Sequence, residues 1–296
     1  MDSTIEYGRD SGNPAIHQDS RWAWAEDQRP CGVSAADVYL ALQERDPCET
    51  PGCLPGLRRV HFECGQRLFE IGQAFHTLAI VRLGFLKTFA VNDGASEQVL
   101  GFPMRGSILG IDGIDSGRHQ SCTQALSSGE LILIPYVALL NLARTHPDLY
   151  ARIFSAISAE LESNLSMVRL LALRFAEARI ARFLMLLASR HAALGYSDSK
   201  FMLRMRRCDI GSLLGVTPET VCRTLTTLHS LGIIEVRHHN LRIVDRHALS
   251  TVERLPASPA RLKQIEANRV RRRLLRNCHE TGVHPLSGAS AEVAPC

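Results

Sequence analysis

The first half of the chain consists of short hydrophobic runs separated by glycines, a pattern that is typical of β-strands. The candidate strands are Leu57–Phe62, Thr77–Leu83, Phe85–Val91, Glu97–Phe102 and Leu131–Ile134. Many short strands at even spacing predict a small antiparallel barrel or jelly roll. One short helical stretch, Ser34 to Gln43, precedes the strands.

A helical period replaces the β-pattern after Pro135. From Pro147 to about Leu173 the apolar positions recur at spacings of three or four, which predicts one long amphipathic helix. A stripe of this length usually packs against a copy of itself and therefore predicts a homodimer; the alternative is that it only covers the β-structure. The residues expected along the dimer seam are Ile153, Ile157, Leu161, Asn164, Val168 and Leu171.

Two short helices joined by a tight turn are predicted from Asp209 to about Leu231. Gly211 leaves room for the second helix to cross closely, and Gly215 can adopt the positive φ that the turn needs. Thr217 is a favourable N-cap for the second helix. These features predict a helix-turn-helix.

A β-hairpin should follow as a wing, with strands at residues 232–236 and 241–244 and a turn at His239–Asn240. On the outward face of the second helix, Glu219 can accept a hydrogen bond from cytosine and Arg223 can donate to guanine. The alternative is an ordinary helical hairpin with a solvated Glu–Arg pair. The residues predicted to contact DNA are Arg206, Arg207, Thr217, Glu219, Thr220, Cys222 and Arg223.

Together these elements predict an α+β protein with an N-terminal antiparallel β-roll, a long dimerisation helix and a C-terminal winged helix-turn-helix. The predicted divisions are a disordered segment at residues 1–30, a sensor roll with a cysteine-containing arm at 31–146, the dimerisation helix at 147–175, the DNA-binding domain at 176–252 and a basic, disordered tail at 253–296.

Composition narrows the class of protein. The net charge is only +4, but Lys and Arg crowd the C-terminal half, as a polyanionic partner requires. No apolar run approaches the roughly 20 residues that span a bilayer, and the polar N-terminus lacks the layout of a secretory signal, so we expect a cytoplasmic protein. Because we find no nucleophile–base pair, P-loop or HExxH motif, we do not expect an enzyme.

Six segments between Cys31 and Val252 carry a family pattern, and they are Gly65–Phe69, Arg82–Lys87, Glu97–Phe102, Gln124–Leu126, Asp209–Gly211 and Glu219–Arg223. They resemble the Crp/Fnr superfamily of bacterial transcription regulators, and its Fnr-like branch in particular. The resemblance implies an effector-binding roll, a dimerisation helix and a winged domain that binds a palindromic site. The implied partners are double-stranded DNA, a second copy of the chain and RNA polymerase.

The recognition helix departs from the Fnr-like pattern at one position. Glu219 and Arg223 match it and imply a TTGA-like half-site with a C·G pair at its centre. Cys222 stands where these members usually have Ser, so the base step that Ser helps to recognise can differ here. A ligand-controlled regulatory protein of the cyclic-nucleotide type without DNA binding is the alternative function, and the helix-turn-helix disfavours it.

The sequence says less about which signal the roll senses than about DNA binding. Cyclic-nucleotide-binding relatives use an acidic residue for the ribose and an arginine for the phosphate; the stretches Gly106–Asp112 and His119–Cys122 have neither at the corresponding position, so we do not expect cAMP to bind. The resemblance to Fnr raises an iron–sulfur cluster, with zinc, thiol redox sensing and another or no ligand as alternatives. The candidate ligands are Cys31, Cys48, Cys53 and Cys64, which are spaced more widely than in Fnr.

Asn164 bears on assembly. Fnr has an aspartate at this position of the dimerisation helix, and two aspartates facing each other across a seam of low dielectric would repel. Our hypothesis is that the neutral Asn164 lets this protein dimerise without a cluster.

Overall fold

The computed structural model describes residues 31–42, 53–91 and 96–254. The strands of its N-terminal part are β1 (Cys31–Ser34), β2 (Cys53–Phe62), β3 (Arg67–Phe69), β4 (Thr77–Leu83), β5 (Leu86–Val91), β6 (Glu97–Gly101), β7 (Ile108–Leu109), β8 (Cys122–Ala125) and β9 (Gly129–Pro135). Helix α1 (Ala35–Ala41) follows β1. The remaining elements are α2 (Tyr136–Thr145), α3 (Pro147–Leu171), α4 (Ala176–Ala193), β10 (Lys200–Met202), α5 (Arg207–Leu214), α6 (Pro218–Ser230), β11 (Ile234–Arg237), β12 (Asn240–Ile243) and α7 (Arg246–Arg254).

Two antiparallel sheets form the β-roll. The first has the strand order β1-β2-β9-β4-β7 and the second β3-β8-β5-β6. Strand β4 explains how the layers are held, because its alternate side chains enter different cores. Ala79 and Val81 lie in the core between the sheets, whereas Leu78 and Ile80 pack against α1, α2 and the start of α3. The predicted antiparallel roll is therefore confirmed.

Sequence periodicity located the longer strands well and missed the short ones. The predicted strand Thr77–Leu83 has the bounds of β4, and the other four predicted strands agree with β2, β5, β6 and β9 within a few residues at each end. Strands β1, β3, β7, β8 and β10 were not predicted. Each has only two to four residues, which is too short for an alternating pattern to register.

The core of the C-terminal part is continuous with one side of the roll, since Phe89, Val99 and Phe102 belong to the same buried cluster. Helices α4 to α7 and the small sheet β10-β12-β11 all contribute apolar side chains to it. Gly211 and Gly215 act as predicted. A Cβ added at Gly211 would lie 2.7 Å from the Val216 carbonyl oxygen, so α5 and the chain after it approach too closely for any other residue. Gly215 ends α5 with a φ of 63°.

The wing needs one correction. Asn240 does not lie in the hairpin turn, because it pairs with Arg237 and begins β12. The turn residues are His238 and His239, and His238 has the positive φ of 55° that the tight reversal requires. The predicted segments 1–30 and most of 253–296 lie outside the described residues. In the part of the chain that the structure describes, no helix is both long enough and apolar enough to cross a membrane.

Candidate nucleic-acid interface

The recognition helix α6 begins as the sequence predicts. The Thr217 Oγ1 accepts a hydrogen bond from the backbone N–H of Thr220 at 3.2 Å, and Pro218 occupies the first helical position. A side-chain cap and a proline at this point satisfy or remove backbone donors that the helix itself cannot pair. The other N–H groups in the first turn of a helix have no partner within the helix, so this helix end suits a phosphate oxygen.

The two faces of α6 have separate tasks. Val221, Leu225 and Leu228 are buried and fix the helix on the core. Glu219, Cys222 and Arg223 are exposed, and their spacing of three and four residues puts them on one side of the first turns. The side chains predicted to contact bases therefore form one accessible surface at the N-terminal end of the helix, where a helix lying in a major groove meets base edges.

Arg206 and Arg207 behave differently from each other. The Nε and Nη2 of Arg206 donate to the Asp209 carboxylate at 3.1 and 3.2 Å, and these bonds raise the pKa of Arg206. The Arg206 side chain is still 69% exposed, so it can reach solvent and a phosphate. Arg207 is half-buried, and burial lowers its pKa, with the nearby Cys222 opposing the shift. Its Nη1 is buried and has no hydrogen-bond partner among the described residues.

The wing adds positive charge beside α6. Arg237 and His238 are exposed at the tip of the hairpin, and Arg242 lies on the neighbouring strand, 3.5 Å from the Glu235 carboxylate. The exposed Arg237 guanidinium at the hairpin tip suits contacts to the phosphate backbone, which position a protein without recognising sequence.

A buried lysine connects the roll to the helix-turn-helix. The Lys87 side chain is only 2% exposed, and its Nζ lies 2.5 Å from a carboxylate oxygen of Glu97 and 3.4 Å from a carboxylate oxygen of Asp209. Burial pushes the pKa of Asp209 upward, but hydrogen bonds from Arg206 and the charge of Lys87 outweigh it, so this pKa lies below its usual range. Since Asp209 belongs to α5 and Lys87 to β5, the ion pairs hold the first helix of the helix-turn-helix against the roll.

Ser212 makes a second connection at the same place. Its Oγ donates to the Glu97 carbonyl at 2.9 Å and accepts from the Val99 N–H at 2.9 Å, while its own carbonyl accepts from the Gln98 side chain at 2.6 Å. Helix α5 thus continues the hydrogen bonding of the edge strand β6. Sequence reasoning missed Lys87 and Ser212 because both depend on contacts between residues more than a hundred positions apart.

The long helix α3 presents an apolar stripe. Phe154, Leu161, Leu165 and Val168 are each at least 50% exposed, although they are large apolar side chains. Asn164 is exposed in the same stripe, between Leu161 and Val168. The exposed residues are spaced as a helix seam requires, and they cover the last two-thirds of α3.

The predicted seam is wrong at its first position. Ile153 is 1% exposed and belongs to the core beneath the first sheet, and Ile157 is half-buried against the same core. The exposed stripe instead begins with Phe154 and also includes Leu171, which is 40% exposed. The same periodicity serves an internal contact at the start of α3 and an exposed face later, which a single stripe in the sequence does not distinguish.

Two of the candidate cysteines lie at opposite ends of one strand. Cys53 begins β2 and Cys64 follows its end, so the strand separates them by up to about 30 Å. Cys31 pairs with Arg59 on β2, and the exposed Cys64 donates through its thiol to the Leu126 carbonyl at 3.4 Å.

Cys48 lies outside the described residues. Within residues 31–42, 53–91 and 96–254, no cluster of three or more His, Cys, Asp or Glu side chains could hold a metal ion. The arrangement therefore does not fit an iron–sulfur cluster shared by Cys53 and Cys64.

The part of the roll that cradles the phosphate in cyclic-nucleotide-binding relatives is closed by its own hydrogen bonds. An Asp112 oxygen accepts from the Gln120 N–H at 3.0 Å and from the Ser121 hydroxyl at 2.7 Å. Burial raises the pKa of Asp112, but these bonds and the bond from His119 outweigh burial and lower it. A carboxylate that is held in its charged form at this place repels a cyclic phosphate.

Comparisons with known proteins agree with this geometry. Residues 178–252 match the Crp-like helix-turn-helix domain, and residues 59–146 match the cyclic nucleotide-binding domain. The chain is 36% identical over 193 residues to electron transport regulator A of Shewanella oneidensis, covering 65% of this chain and 77% of that protein. It is 31% identical over 220 residues to the fumarate and nitrate reduction regulatory protein of Escherichia coli K12, covering 74% and 87%.

The fold also matches solved structures. FixK2 from Bradyrhizobium japonicum superposes with a TM-score of 0.59 at 22% identity, covering 68% of this chain and 99% of that one. A CooA variant from Carboxydothermus hydrogenoformans superposes with a TM-score of 0.58 at 18% identity, covering 76% and 98%. At these identities the two structures bear on the fold alone.

Proposed function

The chain belongs to the Crp/Fnr family of transcription regulators, and we propose that this member binds a palindromic, TTGA-like DNA site as a homodimer in the cytoplasm. The observation that carries the proposal is the exposed set Glu219, Cys222 and Arg223 at the capped start of α6. The Glu219 carboxylate suits the cytosine amino group, and the Arg223 guanidinium suits guanine O6 and N7. Contacts to RNA polymerase and the absence of an enzymatic activity are part of the same proposal.

Specific DNA binding is tested with one arginine that should contact a base and one that should not. Arg223→Ala should weaken binding to a duplex with two TTGA half-sites by about 1–3 kcal/mol, measured by fluorescence anisotropy, and should relax the preference at one base pair. Arg58→Ala is the matched control, since Arg58 is exposed on β2 of the roll. Equal losses by Arg223→Ala on specific and random duplexes would show that Arg223 contacts only the backbone.

Pairing of two chains through α3 supports the palindrome. The exposed stripe from Phe154 to Leu171 lies on a helix that leads directly into the DNA-binding part through α4. A two-fold dimer places two recognition helices about one turn of DNA apart, roughly 34 Å. Inserting five base pairs between the half-sites should therefore abolish tight binding. Retained affinity for the lengthened site would argue against a two-fold dimer on DNA.

The relatives' names, which concern electron transport and the reduction of fumarate and nitrate, favour oxygen or redox state as the signal. The separation of Cys53 from Cys64 argues against a cluster held by both. Purification without oxygen, followed by a visible spectrum and analysis of iron, sulfide and zinc, distinguishes the alternatives. About four irons and four sulfides per chain would show that the protein holds a cluster. Metal-free protein whose DNA affinity changes on thiol oxidation would instead support redox sensing by cysteine thiols.

A further inference from the structure

A cleft of about 470 Å³ lies where the roll, the long helix α3 and helix α4 meet. Its size falls within the range of about 300–1,000 Å³ that is typical of small-molecule sites. The roll contributes Phe102 and Ser107, α3 contributes Glu160 and Met167, and α4 contributes Phe183 and Arg190. Of the two stretches that correspond to the cyclic-nucleotide cassette of relatives, Gly106 and Ser107 line the cleft, whereas residues 108–112 and 119–122 do not.

A half-buried arginine is the main polar feature of the cleft. The Arg190 Nη1 donates to the Phe102 carbonyl at 3.2 Å, and the Nη2 donates to the Ser107 hydroxyl at 2.9 Å. A guanidinium has five N–H donors in a rigid fork, and these two bonds leave others for a second partner. Burial lowers the pKa of Arg190, and the charge of Glu160 opposes the shift.

The Glu160 carboxyl balances Arg190 only in part. Burial raises the pKa of Glu160, although the charge of Arg190 and a hydrogen bond from Ser107 act against it. Both residues are half-buried, and the Ser107 hydroxyl, which accepts from Arg190, also hydrogen-bonds to Glu160. Arg190 therefore lies in the wall of the cleft, where its remaining N–H donors can meet a ligand.

The net charge and the apolar wall of the cleft together limit the class of ligand that fits it. Three arginines and two glutamates line the cleft, so one negative charge neutralises it. The rings of Phe102 and Phe183 are buried with their centroids 6.1 Å apart, and Met167 packs beside them as a flexible apolar surface. A planar carboxylate matches the fork of an arginine, and an aromatic body matches the apolar wall.

We propose that this cleft is an effector site for a small aromatic or otherwise apolar monocarboxylate, whose carboxylate pairs with Arg190. A ligand there touches the roll, the dimerisation helix and the first helix of the DNA-binding part at once. On the proposed function as a DNA-binding regulator, its occupancy changes the position of the recognition helices and thereby the affinity for DNA. The ligand can only do so by binding two arrangements of these parts unequally.

Binding is tested with 2-naphthoate as the probe and its neutral amide, 2-naphthamide, as the comparison. Isothermal titration of the full chain should show saturable binding of one naphthoate per chain, at least tenfold tighter than naphthamide. Arg190→Met should lower the naphthoate affinity at least tenfold, and Glu160→Gln should raise it severalfold, because the competing negative charge is removed. A purely structural role for Glu160 does not predict tighter binding.

Two substitutions at alanine positions distinguish loss of the cleft from unfolding of the protein. Ala159 lines the cleft on α3, so Ala159→Phe should fill it and abolish naphthoate binding. Ala192 is exposed on α4 and does not line the cleft, so Ala192→Phe should bind naphthoate like the unmodified protein. Naphthoate and naphthamide binding alike, no saturable binding at millimolar naphthoate, or unchanged binding by Ala159→Phe would each overturn the site.

The regulatory part of the proposal has its own measurement. Saturating naphthoate should change the affinity of the unmodified protein for the palindromic duplex at least threefold, and it should have no effect on Ala159→Phe. Naphthoate binding without any change in DNA affinity would overturn the effector role. Failure of the protein to bind the duplex at all would refute the proposed function instead, and the titration with naphthoate would still test the cleft.

Discussion

Lys87→Met is the sharpest test of how the roll and the helix-turn-helix are joined. The substitution keeps the length and apolar stem of the side chain and removes only the ammonium group. Lys87 is 2% exposed and its Nζ lies near one oxygen of Glu97, one oxygen of Asp209 and, at 4.7 Å, the centroid of the Phe89 ring. The variant therefore leaves Asp209, which is 4% exposed, without one of its two cations.

The expected loss follows from these contacts. Removing one partner of a buried ion pair typically costs about 3–5 kcal/mol, because the other charge stays buried. Asp209 keeps the hydrogen bonds from Arg206, and Glu97 is partly exposed, so we expect the lower end, about 3 kcal/mol. Urea denaturation followed by circular dichroism measures this loss. Lys200→Met is the matched control, since Lys200 is exposed on β10, and it should change the free energy of unfolding by less than about 0.5 kcal/mol.

A double-mutant cycle separates the pair from its surroundings. Lys87→Met, Asp209→Asn and the double variant should give an interaction energy of about 1–3 kcal/mol for residues in contact within one network. Additivity within about 0.5 kcal/mol would mean that the two charges do not stabilise each other. The reasoning would be refuted if Lys87→Met also unfolded at the same urea concentration as the unmodified protein.

Three further outcomes are expected. The lowered pKa of Asp209 means that its contribution to stability is complete above the ordinary carboxyl pKa and is lost as the pH falls through the lowered value; Asp209→Asn should lack this part of the acid dependence of unfolding. Leu161→Glu should convert the proposed dimer to monomer in sedimentation, because Leu161 is 61% exposed in the centre of the stripe. Gly211→Ala should destabilise the protein by about 1–3 kcal/mol in thermal unfolding, since its Cβ would meet the Val216 carbonyl oxygen.

Each of these three predictions can be contradicted by a specific result. Parallel acid-unfolding curves for Asp209→Asn and the unmodified protein would remove Asp209 from the pH dependence. Leu140→Glu is the control for assembly, because Leu140 is a 50% exposed apolar residue on α2, outside the stripe; the assignment of the seam fails if both glutamate variants remain dimeric. An unchanged melting temperature for Gly211→Ala would show that α5 and the turn can move apart without cost.

The helix-turn-helix could be predicted from the sequence because its signals are local. The cap at Thr217, the turn at Gly215 and the spacing of Val221 and Leu225 all lie within about three helical turns, and the structure has each of them as predicted. The long helix was located by the same kind of periodicity, from Pro147 to Leu171.

The features that the sequence did not reveal depend on contacts between distant segments. A lysine in a strand ordinarily indicates a solvent-facing position, yet Lys87 is buried because α5 covers that face of the roll. Arg190 looks like a surface residue of an amphipathic helix until the loop around Ser107 is placed against it. Ile153 continues an exposed stripe in the sequence, and only the position of the first sheet shows that it is buried.

The burial of Ile153 also bears on how a newly synthesised chain folds and assembles. Because the start of α3 is sealed by its own roll, the roll has no need of a partner chain to complete its core. On the proposed pairing through the Phe154–Leu171 stripe, folding is a first-order event, whereas dimerisation is second-order and depends on concentration. The same proposal implies a copy-number threshold: sparse chains are folded but unpaired, and DNA occupancy rises with roughly the square of their number.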